Sequence, residues 1–460
     1  MKIPRLFKLV LLCGLTLQTL IGRGQIVTKI AGGGYHTLVL KSDGSLWTVG
    51  NNDAGELGDG TTDSDNYNTN LPEQVVASNV TAIAAGANFS LFLKSDGSLW
   101  GMGYNGDGEL GDGTYNQTNL PELIVSSNVT TIAAGAYHSL FLKCDGSLWA
   151  MGNNGDGQLG DGTTDHGFYS TNVPELIAAS NVTAIAAGEY HSLFIKRNGS
   201  LWGMGYNSEG QLGLGAIDQT NRPTQLVASN VTAVAAGAFH SLFVKSDGSL
   251  WAMGNNIAGQ LGDGTPDSQT NLPELIVASN VTAIAAGAFH SMFLKNDGSL
   301  WAMGNNNAGQ LGDGTTDSDN YYTNQPEQIV AGPVTAIAAG GSFSLFIQND
   351  GSLWVMGDNS MGQLGDGTYN PAYLPEQVVA GSSAPPGFNQ ISARLLGTGD
   401  MQLFFMGIAN SNYALDRSFS LTPPNWVPQL TNSTDAAGAL WVTNTPVRTV
   451  NNFWRIRLVP

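Results

Sequence analysis

The sequence is poor in positive charge. Eighteen Lys and Arg stand against 36 Asp and Glu, a formal net charge of −18, and no basic cluster makes a local exception. A phosphate backbone would be repelled by such a surface, so nucleic acid is excluded as a partner. Long apolar runs are missing too. The one candidate, Leu9 to Leu20, is shorter than the roughly 18 residues a membrane span needs. With Lys2, Arg5 and Lys8 before it, and Gly22 and Gly24 after it, the run reads instead as an export signal over residues 1–24, cut ahead of Gln25. Its removal takes away four basic residues and no acids, so the charge moves from −18 to −22. Cysteine is nearly absent. Leu12 is larger than a lipid-anchor site accepts before Cys13, and Cys144 alone then remains, which excludes an internal disulfide even in an oxidising destination.

What the chain has instead is glycine and repetition. Gly occupies 60 of 460 positions, nearly double its usual share of about 7 per cent and without a collagen triplet. The stretch HSLFLKCDGSLWAMGNNGDGQLGDGT (138–163) is one tile of a pattern: DGSLW or NGSLW places Trp at 47, 100, 149, 202, 251, 301 and 354, at spacings of 53, 49, 53, 49, 50 and 53 residues. A period near 50 marks a solenoid or a propeller, not independent domains.

Each tile offers four stretches suited to strands, for example 281–287, 290–296, 299–305 and 326–331, with apolar and small residues alternating. A turn of the type Asn296-Asp297-Gly298 lets its Gly take the positive φ a tight hairpin requires. The spacing therefore predicts an all-β, seven-bladed β-propeller of four-stranded antiparallel blades over residues 25–381. The first tile opens at Ile26 with no PEQVV-type strand before it, and strand 375–379 is expected to complete the first blade and clasp the ring. Residues 382–387 read as a linker. Residues 388–460, with stretches such as YALDRSFSL and FWRIRLVP, read as a separate small β-sandwich-like module.

The tile AAGAFHSLFVKSDGSLWAMGNNIAGQLGDGT (235–265) resembles the regulator of chromosome condensation repeat family, and the match extends over 26 to about 380. The resemblance implies a seven-bladed propeller used as a binding platform. Family members include an exchange factor for a small nuclear GTPase, chromatin binders, and a secreted bacterial inhibitor of β-lactamases. The tail is similar to modules that close many exported proteins of environmental bacteria, which implies a cell-surface context.

Repetition argues against chemistry at the repeated positions. His36, His138, His191, His240 and His290 share one tile position with Phe89 and Phe343, so that position serves packing, as a partly buried ring beside the next blade, and not metal binding. The seven Trp are core for the same reason. GQLGDGT lacks the Lys-Ser/Thr ending of a phosphate loop. The five NVT triplets from Asn79 to Asn280 read as blade-to-blade turns. No cofactor or metal is expected.

Individuality lies in three loops with four extra residues each, 61–70, 163–172 and 315–324, which should emerge on one rim. They show Asp63, Asp65, Tyr67, His166, Phe168, Tyr169, Asp317, Asp319, Tyr321 and Tyr322. Aromatic rings with nearby carboxylates make a contact surface, so a protein partner is expected. Carboxylates two apart at Asp63/Asp65 and Asp317/Asp319 leave calcium open as an alternative, without the Gly and the Glu of an EF-hand. The expectation is an exported, monomeric, non-enzymatic binding protein. The alternatives are a polysaccharide-acting enzyme using Asp63, Asp165 and Asp317, and nucleotide exchange, which follows from the family resemblance alone.

Overall fold

The computed structural model describes residues 25–62, 69–164, 170–265, 269–316 and 323–381, and six strands between 391 and 458. The chain divides into two units, Met1–Gly381 and Ser382–Pro460.

The first unit contains seven four-stranded antiparallel sheets, each built from consecutive strands. In the first blade these are β1 (Val27–Gly32), β2 (His36–Lys41), β3 (Leu46–Gly50) and β4 (Thr69–Val76). Small residues on β1 let neighbouring inner strands come close. A Cβ added at Gly32 would stand 2.7 Å from the Gly340 nitrogen of the seventh blade. β2 is buried up to Lys41 because both of its faces are covered, and β4 is half-buried to exposed, with Pro72 interrupting what would otherwise be an open edge.

The repeated motif DGSLW builds the β2–β3 turn. Asp43 Oδ1 accepts from the Ser45 amide at 3.0 Å and from its hydroxyl at 2.6 Å, and Ser45 Oγ accepts from Trp47 Nε1 at 2.9 Å. Gly44 takes φ +78, which a β-carbon would resist. The indole is half-buried. Lys41 Nζ stands 3.6 Å over it, and in the equivalent tiles a buried Phe stacks alongside with centroids 6.0 to 6.2 Å apart. Asn79, Asn128, Asn181, Asn230 and Asn280 make the turns between blades at φ 68 to 71, a left-handed conformation Asn tolerates better than most residues.

Seven apolar clusters lie between adjacent blades. The one joining the third and fourth holds Leu140, Leu142, Leu148, Leu159, Phe194 and Met204, all at most 3% exposed. At ~1.5–3 kcal/mol per large side chain, such an interface contributes on the order of 10 kcal/mol before chain entropy is subtracted. The seventh and first blades join in the same way, through Leu345, Ile347 and Val355 against Val27 and Val39.

This junction corrects the expected clasp. Strand Ala372–Val379 pairs with Leu353–Gly357 in the seventh blade, and the first blade is complete without it. Tile and blade share the same boundaries, since Leu71 to Val76 already supplies the first tile's outer strand. The ring is closed by contacts that repeat those at the other junctions: Thr37 Oγ1 donates to the Gln363 carbonyl at 2.7 Å, as Ser90 Oγ does to Glu56 at 2.8 Å, and the Gly341 amide donates to the Gly33 carbonyl at 3.0 Å.

The second unit forms two three-stranded antiparallel sheets, one from 391–395, 401–406 and 439–444, the other from 412–418, 427–433 and 453–458.

Candidate functional site

Strand alternation assigns every connection to a face. β1–β2 turns and β3–β4 loops open on one face, and β2–β3 turns and blade-to-blade turns on the other. On the first face the β1–β2 turns surround a central well of about 500 Å³, lined by Tyr35, Asn88, Tyr137 and Glu189 and otherwise by Ala and Gly.

The turn is a two-residue hairpin, with the Gly33 amide donating to the His36 carbonyl at 2.8 Å, so its tip holds Gly34 and Tyr35. Around the ring the second tip residue reads Tyr35, Asn88, Tyr137, Tyr190, Phe239, Phe289 and Ser342. In the third to sixth blades these residues form a continuous aromatic arc. Ring centroids are 5.5 Å apart for Tyr137 and Tyr190, 5.9 Å for Tyr190 and Phe239, and 6.1 Å for Phe239 and Phe289. Tyr206 extends the arc, 6.2 Å from Tyr190 and 6.1 Å from Phe239. The rings are half-buried and inclined to one another by 29 to 37°, so they form one continuous apolar contact surface.

Among the first tip residues Glu189 is the only charged one; the others are Gly or Ala. It is half-buried and lines the well. Burial raises its pKa, and a hydrogen bond from the Tyr190 hydroxyl opposes that rise. Burial, followed by the charge of Glu189, in turn pushes the Tyr190 phenol up.

The five repeated histidines lie just beneath the tips. All are 0% exposed, so the expectation of partial burial is corrected to complete burial. Each Nε2 meets a Ser hydroxyl of the next blade, at 2.9 Å for His36 and Ser90 and 2.7 Å for His138 and Ser192. Because each Ser gives its own proton to a backbone carbonyl, as Ser192 does to Gln158 at 2.6 Å, the imidazole is the donor. Nδ1 is left without a partner in all five.

The first face also holds a misfit. Gln158 Oε1 accepts from the Asp156 amide at 2.9 Å, and its Nε2 donates to Asn153 Oδ1 at 2.8 Å. In the second tile Glu109 takes the place of this Gln, and Tyr104 that of the Asn. Glu109 Oε2 accepts from Asp107 at 2.9 Å, but Oε1 is buried and unpartnered. Burial, with the Asp107 charge adding, pushes this carboxyl up to about 8. A folded-state pKa raised above the unfolded one stabilises fully at low pH and stops doing so as pH rises through 8. At pH 7.5 the disadvantage is ~4 kcal/mol. An amide would remove it but leave its own NH2 as unpartnered as that of Gln211, at ~1–2 kcal/mol. Glu109→Gln is therefore expected to stabilise the propeller by roughly 2 kcal/mol at pH 7.5 and not at pH 4, measured by urea unfolding at both values.

The ten rim residues, Asp63, Asp65, Tyr67, His166, Phe168, Tyr169, Asp317, Asp319, Tyr321 and Tyr322, lie outside the described residues, as does Asp165. Their anchors, Thr61 with Thr69, Thr163 with Ser170, and Thr315 with Thr323, open on the same face as the aromatic arc. Among the described residues no group of His, Cys, Asp or Glu has the arrangement of a metal site. The arc and Glu189 were not singled out from sequence. A signal was present, however: the position before the repeated His is Tyr or Phe in five tiles, and the position before that carries a charge in one tile alone.

A family model described as RCC1-like domain matches residues 4–319, and models of the regulator of chromosome condensation (RCC1) repeat match 297–347 and 334–363. The chain belongs to the RCC1-like domain family. Among curated relatives, Protein RCC2 homolog of Danio rerio is 35% identical over 82 residues, 17% of this chain and 16% of that protein. The X-linked retinitis pigmentosa GTPase regulator of Mus musculus is 35% identical over 85 residues, 18% and 8%. The chain thus spans less than a fifth of the length of these RCC1-like relatives. Human WBSCR16 superposes with a TM-score of 0.64 at 26% identity, covering 73% of this chain and 94% of that one. Prp20p of Saccharomyces cerevisiae, whose structure was described with its binding to Gsp1p and histones, gives 0.64 at 21% identity, covering 78% and 89%.

Proposed function

We propose that this chain is an exported, non-enzymatic member of the family that presents the arc-bearing face of its propeller to another protein. The observation that carries this is the aromatic arc around a well lined by Ala and Gly. Rigid rings supply contact area and lose little side-chain entropy, on loops held by a stiff ring of sheets. Relatives support a protein partner, since Prp20p is described with Gsp1p and histones and yeast RCC1 with Kap60. Export rests on residues 1–24 and their charge pattern, and a cell-surface context on the closing module.

The polysaccharide-acting alternative needs paired carboxylates about 5 to 10 Å apart. Among the described residues lining the well, Glu189 is the single carboxylate. The exchange-factor alternative rests on the family alone.

The test is capture from the native extracellular fraction, with partners identified by mass spectrometry. Tyr190→Ala combined with Phe239→Ala is expected to lower recovery of the specific partner at least 10-fold, and shortening the three long loops to six residues is expected to weaken it as well. Equal recovery by wild type and both variants would overturn the proposal.

A further inference from the structure

The propeller separates its charges by face. Six Lys, from Lys41 to Lys295, end the second strands; Arg197 stands in the adjoining turn, and Lys29 lies near the start of β1. All belong to the face opposite the well, where the six Asp of the DG turns stand beside them. On the well face Arg222 is the only Lys or Arg among the described residues of the propeller. That face carries the six Asp of the GDGT loops, from Asp59 to Asp366, together with Asp107, Asp156, Glu209 and Asp358. Chain topology fixes this separation, since β2 always ends and β3 always begins on the far side.

Resting on the protein-binding reading above, we propose that the partner is a protein that seats a Lys or Arg side chain, carried on a projecting loop, against Glu189 at the edge of the well. The acidic face would guide a basic loop toward the arc through its long-range field. Near the well Tyr137, Tyr190 and Phe239 would cover the aliphatic stem of the cation, and the carboxylate of Glu189, oriented by the Tyr190 hydroxyl, would take the charged head. The well of about 500 Å³ has room for a loop tip, and its Ala and Gly walls set no steric barrier around the carboxylate. An acidic or purely apolar loop would deepen the burial of Glu189 with only the Tyr190 hydroxyl to compensate it.

The test immobilises the full chain and selects from a random library of disulfide-closed loop peptides displayed on phage. Selected loops are expected to share a Lys or Arg at one position. Synthetic versions should bind at least 10-fold more weakly to Glu189→Gln, and at least 100-fold more weakly to Glu189→Lys. Raising NaCl from 0.05 to 0.5 M should weaken binding similarly, while Asp350→Asn on the far face should leave it unchanged. Circular dichroism and thermal unfolding confirm that each variant is folded. Loops without a shared cation that are indifferent to Glu189→Gln but lost on Tyr190→Ala with Phe239→Ala would overturn the role of the cation and leave the platform reading standing. Loops indifferent to both sets of changes, or no loops at all, would overturn both.

Discussion

Lowering the pH from 7.5 to 5.0 is expected to reduce the unfolding free energy of the propeller by about 7 kcal/mol, a large part of the 5–15 kcal/mol typical of folded domains. The cause is the ring of buried imidazoles. Burial lowers the pKa of His36 and His290 to about 4, and that of His138, His191 and His240 to about 3, with neighbouring imidazoles adding to the effect at His191 and His240. A group whose folded pKa is depressed stabilises fully above its unfolded pKa, near 6.5, and progressively less as pH falls toward the folded value. In this window the unfolded chain takes up protons that the folded chain refuses. Each His then gives up ~2 kcal/mol between pH 7.5 and 5.0, or roughly 10 kcal/mol for the five. Glu109 opposes this by ~3 kcal/mol, because its raised pKa makes acid favourable to the fold.

The structure also supplies the control. Phe89 and Phe343 occupy the His position at 0 to 1% exposure, so the site accepts a phenyl ring. In the blade after Phe89, Ser139 still donates to the Glu109 carbonyl at 2.6 Å, so Ser does not depend on the imidazole. His240→Phe is therefore expected to change stability at pH 7.5 by less than ~1 kcal/mol and to lose ~2 kcal/mol less than wild type on going to pH 5.0. Urea unfolding of both proteins across the range measures the difference, from which Glu109 and the general charge cancel. Parallel curves for the two would mean that the imidazoles reach solvent.

How much of this was legible in the sequence depends on what repetition preserves. Six DGSLW turns and one NGSLW turn, in which Asp or Asn holds the following Ser, define the blades without ambiguity, and the left-handed Asn residues mark the junctions. The expected clasp fails because no strand is missing before Ile26: Leu71 to Val76, within the first tile, already pairs with Leu46–Gly50. Histidine burial was underestimated because sequence alone does not show the Ser of the next blade that receives Nε2–H. For the site, length changes in loops attract attention and single-position changes do not. Tyr35, Asn88, Tyr137, Tyr190, Phe239, Phe289 and Ser342 look like drift until the ring brings them to one face, where four consecutive aromatic tips become one surface.

The other large effect is expected from one methyl group at the blade junction. Gly237 has no positive φ, so its backbone would accept alanine, but the space would not. A Cβ there would lie 2.2 Å from His240 Cε1 and 2.5 Å from the Gly287 carbonyl oxygen of the next blade. Neither neighbour yields easily. The imidazole is fixed at 2.9 Å to Ser291, and the carbonyl directly follows the inner strand Val281–Ala286, in a turn held by the Gly287 amide donating to the His290 carbonyl at 2.9 Å. Gly113 is the opposite case: φ is +90 and nothing lies within 4 Å of the added carbon, so Gly113→Ala should cost only the ~1 kcal/mol of conformational strain. Gly237→Ala is expected to cost about 3–5 kcal/mol by overpacking, because the ring cannot open at one junction without loosening the other six. Adding His240→Ala should restore only part of that loss, since the carbonyl contact remains after the ring has gone. Thermal and urea unfolding of the three variants decide the matter. If Gly237→Ala were as mild as Gly113→Ala, the inner strands would be farther apart than the close approach through which the seven blades share one well.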